Sequence, residues 1–303
     1  MSKIVVVGSM NMDLVTNVAA FPKPGETIHS LGVGYFPGGK GANQAVAAAR
    51  SGASVQMIGA VGADSFAQTL IDNLAASGVD TAGILRKEAH TGLAVITVEQ
   101  SGENQIVLAA GSNKAFTYDE IEDRIAWDEA YAILLQNEIN WDTTVAVMKA
   151  AKQRGVLVWF NPAPALKLDQ SLLPMIHTCI LNETEIELIT GAKVTGVDEA
   201  VHAAGLLVDA GVTQVIVTLG DKGCVWLGPD GESCHVPAFK VQAVDTTAAG
   251  DTFIGAMAAA SCSGLPIGEA LRSALAVTRQ GAQASIPTRQ EVEQLLTSQD
   301  AAT

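Results

Sequence analysis

The sequence predicts an α/β fold: a doubly wound, mostly parallel sheet covered by helices, with a small β-sheet lid. Three observations predict it. From Val55 onward, short apolar runs alternate with longer helical segments, the pattern of parallel strands joined by right-handed crossovers. Apolar residues make up 48% of the 303 residues but aromatics only 5%, with many Ala and Gly, which suits helices packed closely on a sheet better than a sandwich. Polar residues gather where the strands would end, at Asn11 and Asp13, Glu138, Asn182 and Glu185, and Gly220-Asp221-Lys222-Gly223. That edge is the usual place of a ligand in open α/β folds.

Lys3–Gly8 reads as a buried strand because Ile4-Val5-Val6-Val7 is apolar throughout. A dinucleotide fingerprint would need G-x-G-x-x-G after it, and Gly8-Ser9-Met10-Asn11-Met12-Asp13 does not supply one. Val15–Val18 and Thr27–Val33 are strand-like, separated by Phe21-Pro22-Lys23-Pro24-Gly25. Thr91–Glu99 and Asn104–Ala109 flank the turn Gln100-Ser101-Gly102-Glu103. Together they predict a lid from about 14–36 and 91–110 within a single domain spanning 1–303. A small sheet with one apolar face cannot stand alone, so it must cover the site or pair with a second copy.

Phe36-Pro37-Gly38-Gly39-Lys40-Gly41-Ala42-Asn43-Gln44 opens an Ala-rich helix, Ala42–Ser51. Gly34 to Lys40 fits G-x-x-x-x-G-K, but Gly41 follows where a P-loop needs Ser or Thr, and no clean parallel strand precedes it. What remains is a glycine turn allowing close backbone approach, with Lys40 and Asn43 placed for a polyhydroxylated ligand. The plainer alternative is a tight loop with a solvent-exposed lysine.

The regular alternation then runs strand Val55–Val61, helix Ser65–Ser77, strand Ala130–Leu135 into Gln136-Asn137-Glu138, and helix Thr143–Arg154. Strand Val156–Phe160 enters Asn161-Pro162-Ala163-Pro164, and strand Thr178–Leu181 reaches Asn182-Glu183-Thr184-Glu185. Helix Asp198–Ala210 and strand Gln214–Leu219 follow. A β-type run, Phe239 to Val244, passes through Asp245-Thr246-Thr247-Ala248-Ala249-Gly250-Asp251 into an apolar helix from about Thr252 to Ser261. The first turn of such a helix leaves N–H groups unpaired at the positive end of its dipole, and small residues let a phosphate reach them. Asp251 sits at the edge of this anion hole. A carboxylate repels a phosphate, so its chemical sense there is to accept a proton from the attacking group. Alternatively, it is an N-cap that only closes the helix.

The formal charge of −14 disfavours nucleic acid and anionic membranes as partners, so a phosphate ligand needs a local positive field. Met1–Asp13 carries no leader-like hydrophobic region, and no stretch is long and apolar enough to span a membrane. Cys179, Cys224, Cys234 and Cys262 form no C-x-x-C, consistent with reduced thiols in a cytoplasmic protein. The five histidines have no zinc spacing.

Gly38-Gly39-Lys40-Gly41-Ala42-Asn43-Gln44-Ala45 and Asp245-Thr246-Thr247-Ala248-Ala249-Gly250-Asp251-Thr252-Phe253 together resemble the paired signatures of the ribokinase family of sugar kinases. The resemblance covers about residues 3–295. It includes Gly8-Ser9-x-Asn11-x-Asp13, Pro22-x-Pro24-Gly25-Glu26-Thr27, Asn161-Pro162-Ala163-Pro164, Asn182-Glu183-Thr184-Glu185 and Thr218-Leu219-Gly220. It implies a ribokinase-like fold and ATP-dependent phosphorylation of the terminal hydroxyl of D-ribose. Asp251 would be the base, and Ala248, Ala249 and Gly250 the anion hole. Asn11, Met12, Asp13, Gly39, Lys40, Gly41, Ala42, Asn43 and Glu138 would surround the sugar. Asn182 and Glu185 match the motif that positions Mg²⁺ and phosphate, Glu185 through water. Thr218, Leu219, Gly220, Asp221, Lys222 and Gly223 would line the nucleotide, with Leu275 beside the adenine. A K⁺ ion is implied at Asp245, Thr247, Ala276, Arg279, Gly281 and Ser285. A homodimer through the lid is expected from its edge strands. Plainer roles stand beside these: a turn cap for Asp13, a surface carboxylate for Glu138, and a first-turn charge for Glu185. Departures from the family pattern are a shortened Ser273-Ala274-Leu275-Ala276, Ile254 after Asp-Thr-Phe, and Leu181 before Asn182.

Overall fold

The computed structural model describes residues 2–239 and 248–276. The chain begins β1 (Lys3–Val7), β2 (Asn11–Val18), β3 (Gly32–Gly38), α1 (Lys40–Arg50), β4 (Ser54–Val61), α2 (Ser65–Ala76) and β5 (Asp80–Arg86). Next come β6 (Gly92–Glu99), β7 (Asn104–Ala109), β8 (Ala130–Gln136), α3 (Trp141–Arg154), β9 (Leu157–Asn161) and β10 (Thr178–Asn182). The rest is α4 (Glu183–Thr190), α5 (Val197–Asp209), β11 (Gln214–Thr218), β12 (Cys224–Leu227), β13 (Ser233–Val236), α6 (Ala249–Cys262) and α7 (Ile267–Ala276).

Nine strands form the main sheet in the order β13-β12-β11-β10-β9-β8-β1-β4-β5. It is parallel from β5 through β11, and the hairpin β12–β13 adds an antiparallel edge. The chain builds outward from β1 through β4 to β5, then restarts at β8 and builds the other way. The topological switch therefore lies between β1 and β8, the region where an open α/β sheet is expected to receive its ligand. Alternating side chains separate two cores. Ile4, Val6, Met57 and Leu134 pack beneath α1, α2, α6 and α7, while Val5, Val7, Ile133 and Leu135 pack against α3, α4 and α5. The expected doubly covered sheet is what the chain forms.

The lid is a second sheet of order β3-β2-β6-β7. Its hairpin β6–β7 falls where expected, but its other strand does not. The stretch paired with β2 is Gly32–Gly38 rather than Thr27–Val33, in the register Asn11↔Gly38, Asp13↔Phe36 and Thr16↔Val33. Because β2 also pairs in parallel with β6 from Asn11↔Gly92 onward, it starts at Asn11, and the glycine motif is drawn into the ladder opposite it. Pairing has overridden the β propensity of Thr27–Leu31. Unexpected elements are β5, α4 and the four-residue strands β12 and β13, too short to show a period. The strand-like run Phe239 to Val244 lies outside the described residues beyond Phe239.

Candidate active site

The switch region is built from three connections. The first is Gly8-Ser9-Met10, which links β1 to β2. The second is Asn137-Glu138, which leaves β8. The third is the junction of β3 with α1, a single residue, Gly39, at φ 93°. A Cβ on Gly39 would lie 2.7 Å from the Asn11 amide nitrogen, and one on Gly41 would lie 2.6 Å from that of Ser9. The expected close backbone approach is thus real, but it is to the protein's own β1–β2 connection. The α1 mouth is consumed by it. Lys40 N–H donates to Glu138 Oε2 at 3.2 Å, Gly41 N–H to Ser9 Oγ at 3.3 Å, and Ala42 N–H to the Ser9 carbonyl at 2.9 Å. Ser9 Oγ in turn donates to Glu138 Oε2 at 2.5 Å. Glu138 is therefore a held carboxylate within the switch region. Burial raises its pKa, opposed by Lys40 and the Ser9 hydroxyl.

Asn11 is buried, and its Oδ1 accepts from Asn113 Nδ2 at 2.7 Å. The Asn113 amide also brackets Met10, taking its N–H at 3.0 Å and donating to its carbonyl at 3.1 Å. Burial and the neighbouring charges of Glu138 and Asp251 push the Asp13 carboxyl up to about 7. Met12 is buried within the apolar core that α1, α2, α6 and α7 cover.

Opposite stands the first turn of α6. Ala248 precedes it with φ 65°, and no side chain caps it among the described residues. Its first described backbone bond is Thr252 N–H to the Ala248 carbonyl at 2.9 Å. Asp251 is only 6% exposed, and both its oxygens accept amides: Asn43 Nδ2 at 3.1 Å and Gln44 Nε2 at 3.0 Å. A cavity of about 190 Å³ opens here, lined by Ala248, Gly250, Asp251, Lys40, Asn182 and Glu185 among others. The Lys40 ammonium is the local positive charge the acidic surface requires. Asp251 above all, and then Glu138 and Glu185, raise its pKa, against burial.

Asn182 and Glu185 face this cavity and also close α4 as a capping box. Asn182 Oδ1 accepts from Glu185 N–H at 2.8 Å, and Glu185 Oε2 accepts from Asn182 N–H at 3.0 Å. Burial raises the Glu185 pKa. Thr218 lines the same cavity. Beyond it the chain turns through Gly220-Asp221-Lys222-Gly223, where Leu219 is buried in the core and Lys222 Nζ donates to the Thr195 carbonyl at 2.6 Å. Leu275 packs in the core at 8% exposure. Of the residues implied for K⁺, Asp245, Thr247, Arg279, Gly281 and Ser285 lie outside the described residues, and Ala276 is the last residue of α7.

The cavity brings together Lys40, Asn182, Glu185, Thr218, Ala248, Gly250 and Asp251; Asn43 bonds to Asp251, Glu138 to the Lys40 amide, and Asp13 feels the charges of Glu138 and Asp251, while Asn11 is tied to Asn113. Sequence reasoning missed Ser9, Gln44, Asn113 and Gln136. Ser9 and Gln44 stood inside the recognised motifs and could have been read as part of them. Asn113 offered no signal, since its partners are about a hundred residues away in the chain.

A mostly parallel doubly wound sheet, a separate small sheet, and a cavity holding a carboxylate, a lysine and the first turn of a helix are the features to set beside known proteins. Residues 1–289 match the pfkB family carbohydrate kinase description, and the chain belongs to that family. It is 42% identical over 302 residues to the ribokinase of Haemophilus influenzae, covering 97% of this chain and 98% of that one. It is 39% identical over 302 residues to a deoxyribokinase of Salmonella typhi, with the same coverage. Its fold superposes with a TM-score of 0.90 on Arabidopsis thaliana ribokinase complexed with ribose and ATP, at 32% identity, covering 98% of this chain and 99% of that one.

Proposed function

We propose that this chain is an ATP-dependent ribokinase, transferring the γ-phosphoryl group of ATP to the 5-hydroxyl of D-ribose to give D-ribose 5-phosphate and ADP. The observation that carries the reading is Asp251, a carboxylate held by two amides in the lining of a cavity that also contains Lys40 and the first turn of α6, which no side chain caps among the described residues. Asp251 takes the hydroxyl proton as the sugar oxygen bonds to phosphorus and the bond from phosphorus to the β-phosphate oxygen breaks. The backbone amides of Ala248–Gly250 and the Lys40 ammonium stabilise the charge on the transferring group. Asn11, Asp13, Asn43 and Glu138 hold sugar hydroxyls, with Asn113 and Ser9 fixing two of them from behind. A wrong sugar would leave these buried polar groups unpaired, which is the basis of selection.

Glu185 and Asn182 offer oxygen donors at the cavity wall, the type a hard cation prefers, so a largely hydrated Mg²⁺ would fit here. Mg²⁺ neutralises phosphate charge when bound. The resemblance adds K⁺ beside the anion hole, acting on its conformation. Two chains pair through the lid, whose Val33, Tyr35, Ile106 and Val107 are each at least half exposed. Among the described residues no helix is long and apolar enough to cross a membrane, and Cys179, Cys224, Cys234 and Cys262 are free thiols, which supports a cytoplasmic setting.

The deoxyribokinase relative favours one second reading, 2-deoxyribose as acceptor. The test is ADP release by purified protein with ATP and Mg²⁺, against ribose, 2-deoxyribose and other furanoses and nucleosides, with and without K⁺. Ribose should give the highest kcat/KM, and K⁺ should raise it. Faster turnover of 2-deoxyribose would replace the acceptor, and no turnover of any pentose would remove the kinase reading. Sedimentation at micromolar concentration should show a dimer, and a lid variant such as Val107→Asp should show a monomer.

A further inference from the structure

We infer that Gln44 and Gln136 form a buried two-amide strut that positions the carboxylate of Asp251. Asp251 Oδ1 accepts from Gln44 Nε2 at 3.0 Å, and Gln44 Oε1 accepts from Gln136 Nε2 at 2.7 Å. Both glutamines are buried, Gln44 fully. The strut joins three elements: α6, α1, and the end of β8 beside the switch point.

Its polarity follows from charge. An ionised carboxylate only accepts, so Gln44 must turn its NH₂ to Asp251 and its oxygen toward Gln136. Gln136 must then donate, and its own Oε1 is left in the interior without a hydrogen-bond partner. A buried acceptor without a partner is costly, and an apolar side chain at the end of β8 would avoid it. The amide makes sense where its N–H has a task, and the only task visible is holding Gln44.

The backbone is shaped around the strut. A Cβ on Gly8 would lie 2.2 Å from Gln136 Oε1 and 2.8 Å from the Gly41 Cα, so a side chain there would displace the Gln136 amide and press on the α1 backbone. Gly255 lies one turn beyond Asp251, and a Cβ there would lie 2.4 Å from the Gln44 carbonyl oxygen. The two helices thus meet backbone to backbone at the level where Gln44 reaches Asp251. With Asn43 on the other oxygen, both carboxylate oxygens are held in place while Asp251 still lines the cavity.

This assignment rests on Asp251 being the base, and the test separates the two. Gln44→Met and Gln136→Met remove the amides while keeping chain length. Each should lower kcat, about tenfold for Gln44→Met and threefold for Gln136→Met, with KM for the sugar within twofold of the parent. The double variant should be no slower than Gln44→Met alone, because the two act as one unit. Gln136→Asn, with a shortened amide, provides a second folded probe if Gln136→Met melts early, and it should behave likewise. Unchanged kcat in a folded Gln136 variant, or losses that simply multiply, would overturn the strut. Full activity in Asp251→Asn would instead overturn the base, whatever the glutamine variants do.

Discussion

Two helices that pack against each other, α1 and α6, both begin in runs of small residues. Each follows a left-handed residue, Gly39 at φ 93° before α1 and Ala248 at φ 65° before α6, and neither has a side-chain N-cap. They differ in where their first amides go. Those of α1 are spent on Glu138 and Ser9, so this mouth fastens the helix to the β1–β2 connection. Those of α6 meet no protein acceptor among the described residues before Thr252. An open mouth and a closed one can thus be built from the same kind of small-residue motif. Only amides left without a protein acceptor can receive an anion; the closed mouth instead carries Asn43 and Gln44 to Asp251 and Lys40 to the cavity.

The contrast can be broken at several points. The largest effect belongs to Asp251→Asn, which keeps the side-chain size but removes the proposed base. kcat should fall by about a thousandfold or more while calorimetric ribose binding changes little. Next comes Gly250→Ala. Its added Cβ meets nothing within 4 Å, so the melting temperature should hold, yet a methyl at the open mouth should lower kcat/KM for ATP by about a hundredfold, comparable to losing one donor. The matching change at the closed mouth, Gly41→Ala, should do the reverse. Its Cβ would overlap Ser9, costing about 1–3 kcal/mol of stability, seen as a lower denaturant midpoint. If Gly41→Ala left stability intact, the closed mouth would not be a fastening.

The smallest expected effect concerns pH. With its carboxyl raised to about 7, folded Asp13 keeps a proton that the unfolded chain releases near its ordinary value of 3.8. The folded state therefore binds more protons across that window, and stability falls as pH rises through it, levelling off above about 7. Asp13→Asn should flatten this slope and raise stability at pH 8 by about 1–2 kcal/mol, less than the full shift implies because Asp13 is partly exposed. Melting curves at pH 5 and pH 8, without sugar or nucleotide, would decide it. Lower stability for Asp13→Asn at pH 8 would contradict a carboxylate strained by its neighbours.

Much of this was legible in the chain. Ile4-Val5-Val6-Val7 and its later counterparts specified a covered parallel sheet, since only strands buried on both faces can be apolar throughout. The residues at their carboxyl ends pointed to one edge, and Asp251 stood out as a carboxylate where a phosphate belonged. Less legible was the partner of each group. Thr27–Val33 has strand propensity, but register with β2 assigned the ladder to Gly32–Gly38. Asn182 and Glu185 proved to be a capping box as well as a cavity wall, two roles one spacing can serve.

Local chemistry along the chain therefore determined which segments are strands and helices, which edge carries polar groups, and which residue could be a base, because those depend on neighbours within a few positions. Tertiary structure alone decided that the first amides of α1 go to Glu138 and Ser9, that Asn113 holds Asn11, and that Gln136 reaches Asp251 through Gln44. A polar group is satisfied according to what another segment brings against it, and those segments are separated here by about 30 to 210 residues.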